Sequence, residues 1–102
     1  MRLPLAPEAL AELEAAATRY ERERPGYGEL FIADVRERVE RAARLPRSGR
    51  SVPGFDSTRD VRSFGLKRFP YLVVTALVRK ERAVIAVAHT SREPAYWRDR
   101  TR

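Results

Sequence analysis

Two short apolar runs separated by four charged residues constrain the fold of this chain more than any other feature. The first run, Tyr71–Val78, is rich in β-branched and aromatic residues and is largely apolar at both alternating sets of positions. Such a run is typical of a strand that is covered on both faces. Residues 79–82 (RKER) predict the turn, and Ala83–Ala88 returns as a second strand. A buried helix is the competing interpretation of either run, but each has the length of a strand.

Two amphipathic helices are predicted upstream of this hairpin. The first begins at Pro7 and ends near Arg24, where Pro25 and Gly26 stop it. The second is predicted over residues 28–45. The apolar residues at helical spacing are Leu10, Leu13, Ala17 and Tyr20 in the first helix, and Ile32, Val35, Val39 and Ala42 in the second. Such a pair forms an antiparallel helical hairpin, whose apolar stripe must be buried against the downstream sheet.

The remaining segments complete the predicted order. Residues 2–5 are a candidate short strand, 46–58 a loop, 59–66 a further strand, and 94–99 a short final helix. The order is therefore β-α-α-β-β-β with a short C-terminal helix. We expect an α+β fold in which the helical hairpin packs on one face of a small antiparallel sheet, as one domain over residues 1–102.

The charge of the chain is unevenly distributed. The formal net charge is +7, and 19 of the 21 basic residues are arginines. Residues 1–45 carry eight basic and nine acidic side chains, whereas residues 46–102 carry thirteen and five. The second half is therefore suited to binding nucleic acid or an acidic protein segment. A genomic preference for arginine is the alternative explanation, but it would act on both halves.

The composition excludes several classes of site. The chain has no cysteine and a single histidine, which excludes disulfides, thiolate metal sites and multi-histidine zinc sites. The opening MRLPLAPEAL is too polar for a signal peptide, and no apolar run approaches the ~20 residues of a membrane span. We expect a cytoplasmic protein without cofactor, metal or membrane association.

Three segments in this order of elements resemble one family. KRFPYLVV, AVIAVAHTSREPAYW and the opening LAPEALAELEAA are similar to the RelE/ParE toxin superfamily of bacterial type II toxin–antitoxin systems. FPY before a strand and H-x-x-R-x-P-x-Y-W after the last strand are typical of its plasmid-stabilisation branch. The resemblance implies a growth-inhibiting toxin that forms a hetero-oligomer with a cognate antitoxin, whose toxin-binding segment we expect to be acidic.

The superfamily has two kinds of target, and the resemblance implies different site residues for each. RelE-like members cut mRNA in the ribosome without a metal, whereas ParE-like members inhibit DNA gyrase. For a nuclease, Tyr96 would correspond to the C-terminal tyrosine, Arg92 would stabilise a phosphate, and His89 would act as acid or base. The basic residues that we expect to bind nucleic acid or a target are Arg62, Lys67, Arg68 and Arg98.

The chain departs from the RelE-like pattern. The basic residue that follows the tyrosine of the central strand is replaced by Leu72, and the lysine pair of the preceding strand is not reproduced. The favoured hypothesis is therefore a ParE-like toxin that binds a protein such as DNA gyrase. An endoribonuclease is the alternative, and a non-toxic basic binding module is a second one.

The residues of the tail also have structural interpretations. His89 could bond the backbone and fix the tail, and Trp97 could cap the core instead of stacking on a substrate. Arg98, Arg100 and Arg102 are interpreted as a solvated basic tail.

Overall fold

Two helices precede a four-stranded sheet in the computed structural model, which describes residues 3–101. The elements are α1 (Pro7–Glu23), α2 (Tyr27–Arg44), β1 (Arg50–Ser51), β2 (Arg62–Gly65), β3 (Tyr71–Val78) and β4 (Glu81–His89). The strands lie side by side in chain order, and every pair is antiparallel. The predicted α+β class, with a helical hairpin on one face of an antiparallel sheet, is confirmed. Neither helix in this part of the chain combines the length and apolarity that crossing a bilayer requires.

The two helices approach each other closely where α2 begins. Gly26 has φ +92°, in the left-handed region that glycine tolerates best, and this reverses the chain direction. A Cβ on Gly28 would lie 2.7 Å from the carbonyl oxygen of Ala17 on α1. The carboxylate of Glu21 accepts the N–H groups of Gly26 and Gly28 at 3.0–3.1 Å, so it caps the start of α2.

The sheet has a buried apolar layer on each face, as the pattern of β3 predicts. On the face covered by the helices, the rings of Phe31 and Tyr71 pack edge to face with their centroids 4.9 Å apart. The opposite face buries Ile85 beneath Trp97, whose indole stacks on the Phe55 ring at 5.4 Å and 8°. Within residues 3–101 no α-helix covers this second layer, so the loop before β2 and the C-terminal tail supply its cover.

The first predicted strand is reduced to one bridge in the described residues. Leu5 forms an isolated parallel bridge with Val84. The carbonyl of Pro4 accepts the N–H of Val84 at 2.9 Å, and the N–H of Ala6 donates to the carbonyl of Val84 at 2.8 Å. Arg2, where the strand was predicted to start, lies outside the described residues. The predicted loop 46–58 contains the two-residue strand β1, which pairs with β2.

The hairpin turn and the tail also differ in detail. The turn is two residues long because Arg79 (φ +54°) and Lys80 (φ +71°) both adopt left-handed conformations, so β4 begins at Glu81. The short C-terminal helix predicted at 94–99 is a 3-10 helix at Arg98–Thr101. The turns that precede it place Tyr96 and Trp97 against the body of the fold.

Candidate functional site

A cleft of ≈ 560 Å³ lies between α1 and the C-terminal tail, at the end of the sheet where Tyr71 pairs with His89. It brings together all three residues of the predicted nuclease cluster, His89, Arg92 and Tyr96. We call it the α1–tail cleft, and its other polar lining residues are Glu12, Arg19, Tyr20, Glu23, Tyr71 and Ser91.

Glu12 is the most heavily bonded side chain of this cleft. Its carboxylate accepts the backbone N–H of Val87 at 3.0 Å and the hydroxyl of Tyr96. Arg100 binds both carboxylate oxygens, at 2.9 and 3.2 Å, and also donates to the carbonyl of Ile85 at 3.1 Å. Glu12 and Arg100 therefore form a bidentate pair that satisfies backbone groups of β4. With all these contacts made, both oxygens of the Glu12 carboxylate are used within the fold.

Tyr96 is held in its protonated form. Burial, together with the hydrogen bond to Glu12 and the charge of that carboxylate, raises the pKa of Tyr96 to about 12. The Arg92 guanidinium lies over the Tyr96 ring, 3.9 Å from its centroid, and that of Arg100 lies 5.3 Å away. Tyr96 is therefore a poor general base at neutral pH, and the ring face under Arg92 is unavailable to a nucleotide base.

The hydrogen bonds of His89 assign its tautomer. Its Nδ1 accepts the backbone N–H of Ser91 at 3.0 Å. Because a backbone N–H can only donate, Nδ1 carries the lone pair and the proton of the neutral ring lies on Nε2. The ring also packs edge to face on Tyr71, with the centroids 5.0 Å apart. His89 thus offers an N–H donor, and it bonds the backbone as its structural interpretation expected.

Two arginines of the cleft retain donor capacity. Arg19 donates from Nη2 to the hydroxyl of Tyr71, and its guanidinium lies 5.4 Å from the centroid of the Tyr20 ring. Within residues 3–101, the guanidinium of Arg92 stacks on Tyr96 and makes no hydrogen bond or ion pair. The cleft therefore retains unused N–H donors on both arginines.

Of the four residues predicted to bind a target, Arg62 lies away from the cleft, opposite Thr75 in the sheet. Its side chain is only 12% exposed and pairs with Asp60 at 2.9 Å, and Arg82 binds the same carboxylate at 2.6 Å. Burial opposes ionisation of Asp60, but the hydrogen bonds from Arg82 and Arg62 outweigh it and lower the pKa of Asp60 below its usual range. The guanidinium of Arg62 is thus largely committed to internal contacts.

The other three predicted binding residues are exposed. Lys67 and Arg68 lie in the loop between β2 and β3, at the same end of the sheet as the cleft. Arg68 approaches the buried carboxylate of Asp34 on α2 at 3.6 Å. Arg98 lies beside Phe55, 4.6 Å from the ring centroid, and donates to the carbonyl of Gly54 at 3.0 Å. The four residues therefore do not form one surface with the cleft.

Sequence analysis missed the role of Glu12 and misplaced that of Arg100. Glu12 falls in an alanine-rich helical pattern where a solvated acid is expected, and Arg100 was assigned to a solvated tail. Arg102, the last residue of that tail, lies outside the described residues. Among residues 3–101, no three histidine, aspartate or glutamate side chains lie close enough together to hold a metal ion.

Comparisons with known proteins found a family model and a solved structure that are similar to this chain. The family model of the ParE toxin of the type II toxin–antitoxin system parDE matches residues 3–94. A solved structure of the chromosomal ParDE toxin–antitoxin system from P. aeruginosa is similar, with a TM-score of 0.71 and 22% sequence identity. The similarity covers 89% of this chain and 97% of that chain, and at this identity it shows a shared fold. Comparison with curated proteins found no match.

Proposed function

Because this chain belongs to the ParE toxin family of type II toxin–antitoxin systems, we propose that its cognate antitoxin neutralises it and that it acts by binding a protein target such as DNA gyrase. The observation that carries the proposed mode of action is the state of the nuclease cluster: Tyr96 is protonated and bonded to Glu12, and Nδ1 of His89 accepts the backbone N–H of Ser91. On this proposal the chain acts in the cytoplasm, where both the target and the antitoxin are found.

Metal-free RNA cleavage needs a base to activate the 2′-hydroxyl, a cation for the phosphate and an acid for the leaving oxygen. Tyr96 keeps its proton until about pH 12, and His89 uses the lone pair of Nδ1 on Ser91. Glu12 is saturated by Val87, Tyr96 and Arg100. The cluster can bind an anion, but in this arrangement the acceptor atoms of Glu12 and His89 are engaged by partners within the fold. These contacts support a protein target over RNA cleavage.

The endoribonuclease remains the second candidate because of one observation. The α1–tail cleft holds His89, Arg92 and Tyr96 together, and the Arg92 guanidinium is free of ion pairs within the described residues. A rearrangement that released Tyr96 from Glu12 would be required before this cluster could act on RNA.

The test measures both activities with the same purified chain. DNA gyrase is assayed for supercoiling of a relaxed plasmid, and translating ribosomes are assayed for mRNA cleavage by primer extension. We expect inhibition of supercoiling and no cleavage. Relaxation by topoisomerase I on the same plasmid is the control, because a chain of net charge +7 could coat DNA without specificity. Supercoiling that is unaffected at saturating toxin would contradict gyrase as the target, and mRNA cleavage would contradict the proposed mode of action.

An apolar groove of ≈ 710 Å³ along the helical hairpin is the surface that we assign to the antitoxin. Its apolar lining consists of Leu3, Leu5, Leu13, Ile32, Val35 and Val39, with Arg36 and Glu40 at its border. Two further leucines are exposed: Leu10 on α1 is 44% exposed, and Leu45, directly after α2, is 51% exposed. Exposed apolar surface of this kind marks protein interfaces. We therefore propose that the apolar side of an antitoxin segment packs in this groove to give the hetero-oligomer.

A further inference from the structure

The α1–tail cleft gathers unused hydrogen-bond donors from three separate elements. Arg19 comes from α1, His89 from the end of β4 and Arg92 from the tail. Arg19 bonds Tyr71 through Nη2 and also interacts with Tyr20, which leaves further N–H groups of its guanidinium for a ligand, and His89 carries its neutral-ring proton on Nε2. Convergent donors on rigid elements are the chemistry that recognises an oxyanion, with the guanidinium as the best match to its two oxygens.

The acidic groups of the cleft do not cancel these donors. The Glu12 carboxylate is neutralised by the bidentate contact of Arg100, from outside the cleft lining. Glu23 is the other acid of the lining, and it lies exposed on the last turn of α1. Two guanidinium groups and one imidazole N–H therefore face one exposed carboxylate, which leaves the cleft with a positive excess.

The aromatic rings of the cleft indicate whether its ligand is a carboxylate or a nucleic-acid phosphate. Single-stranded nucleic acid binds through stacking on open rings as well as through phosphate contacts. Here Tyr71 is only 5% exposed, Tyr20 packs against Phe69 at 4.7 Å, and Arg92 covers a face of Tyr96. A binding site for a nucleotide would leave a ring face open, whereas a site for a carboxylate side chain needs only the donors.

We propose that the α1–tail cleft binds a carboxylate side chain from an acidic segment of the antitoxin, through Arg19, His89 and Arg92. The inference rests on the proposed neutralisation by an antitoxin, and it assigns to that partner a charged contact distinct from the apolar groove. Arg92 supplies a bidentate contact, while His89 adds the N–H of Nε2 as a further donor. Because the contact is exposed, salt screens it. It therefore raises the rate at which the antitoxin associates more than it raises the affinity of the complex.

The single histidine of the chain makes the test specific, because its ring signals need no further assignment in an NMR spectrum. The purified chain is titrated with acetyl-triglutamate amide, and acetyl-triglutamine amide is the uncharged comparison. We expect a saturable shift of the His89 ring signals with the glutamate peptide only. Arg92→Gln and Arg19→Gln are each expected to weaken that binding about tenfold, the effect of losing one charged contact.

The matched control is Arg22→Gln, which makes the same change of charge on an exposed position of α1 outside the cleft. Binding by this variant should stay within about twofold of the wild-type value, as screened surface charges predict. Thermal unfolding and the fluorescence of Trp97, the only tryptophan, verify that each variant is folded. Arg92→Gln is the decisive variant because its guanidinium stacks on Tyr96 but makes no hydrogen bond or ion pair with another described residue.

Four results would overturn the inference. They are the absence of a saturable His89 shift, unchanged binding by Arg92→Gln, an equal loss of binding in Arg22→Gln, and binding of triuridylate in the cleft at least as tight as that of the glutamate peptide. The last result would identify a phosphate site. None of them bears on the gyrase assay, so failure here and failure of the proposed function are distinguishable.

Discussion

The carboxylate of Glu12 accepts a hydrogen bond from the hydroxyl of Tyr96, although 84 positions separate the two residues in the sequence. The same carboxylate binds the backbone of β4 at Val87 and the guanidinium of Arg100. One acidic side chain therefore joins α1, the last strand and the C-terminal tail. This junction holds Tyr96, the tyrosine that the family resemblance aligned with a nuclease residue, against α1.

Replacing Glu12 by Gln should lower the free energy of unfolding by about 1–3 kcal/mol, because Arg100 would keep its charge without its partner. The pKa of Tyr96 should fall from about 12 towards its ordinary value, since two of the causes that raise it come from Glu12. Urea denaturation measures the first effect and a tyrosine titration by NMR the second. Glu14→Gln, an exposed change on the same helix, is the control. Equal stability of the two variants would contradict the assigned role of Glu12.

Tyr96 should make the stability of the chain sensitive to alkaline pH. Its pKa is about 12 in the folded chain, against about 10 in an unfolded one. The folded state therefore holds the proton more tightly, and the resulting stabilisation is complete below about pH 10 and is lost as pH rises towards about 12. We expect Tyr96→Phe to lose less stability than the wild-type chain between about pH 9 and 11. Parallel urea midpoints for both chains over this interval would show the expectation to be wrong.

The contact between the helices should not tolerate a methyl group at Gly28. A Cβ there would lie 2.7 Å from the carbonyl oxygen of Ala17, a backbone atom that cannot rotate away. Overpacking costs about 1–3 kcal/mol, whereas alanine gains up to about 1 kcal/mol in helix propensity, so we expect a net loss. Gly65→Ala is the matched control because its Cβ would make only an ordinary contact, 3.9 Å from Leu72. The two variants are compared by urea denaturation, and a Gly28→Ala chain as stable as the wild type would refute the close contact.

The apolar groove makes a prediction about neutralisation. Val39→Lys places a charge on the wall of the groove at a half-buried position, so antitoxin binding should weaken by about tenfold or more. Toxicity should persist, because the groove is assigned to the antitoxin and not to the target. Growth is measured with the variant expressed alone and together with the antitoxin. Thr18→Lys, exposed on α1 outside this groove, is the control, and full neutralisation of the Val39 variant would remove the groove from the interface.

The cleft residues make a prediction about toxicity. If the chain acts by binding a protein, Tyr96→Phe and Arg92→Ala should both arrest growth as the wild-type chain does. The reason is that neither change removes a group that reacts with a substrate. Growth curves after induction measure this, with the abundance of each variant checked in the same cells. Loss of toxicity in either variant at normal abundance would favour the nuclease.

The helices and the strand β3 could be predicted well because the spacing of apolar residues within each segment determines them. The bounds of β3 coincide with the apolar run at residues 71–78, and both helices end within one residue of the predicted positions. The hairpin turn was predicted over four residues, whereas the structure uses two, Arg79 and Lys80. Their charged side chains do not indicate left-handed conformations, which asparagine and glycine adopt more readily.

The centre of the cleft could not be predicted in the same way. Glu12 and Arg100 each resemble solvated charges within their own segments, and their partnership depends on how α1 and the tail pack against β4. The resemblance to a toxin family brought His89, Arg92 and Tyr96 into one group, and the structure places them in one cleft. It did not indicate that a helix residue would hold the tyrosine.

The rate of amino-acid incorporation, measured within minutes of inducing this chain alone, tests the proposed mode of action most directly. A toxin that binds a protein such as DNA gyrase should stop growth while incorporation continues at first, with plasmid supercoiling changing before translation does. A collapse of incorporation ahead of any change in supercoiling would contradict this account, and it would assign Tyr96, Arg92 and His89 to cleavage of mRNA.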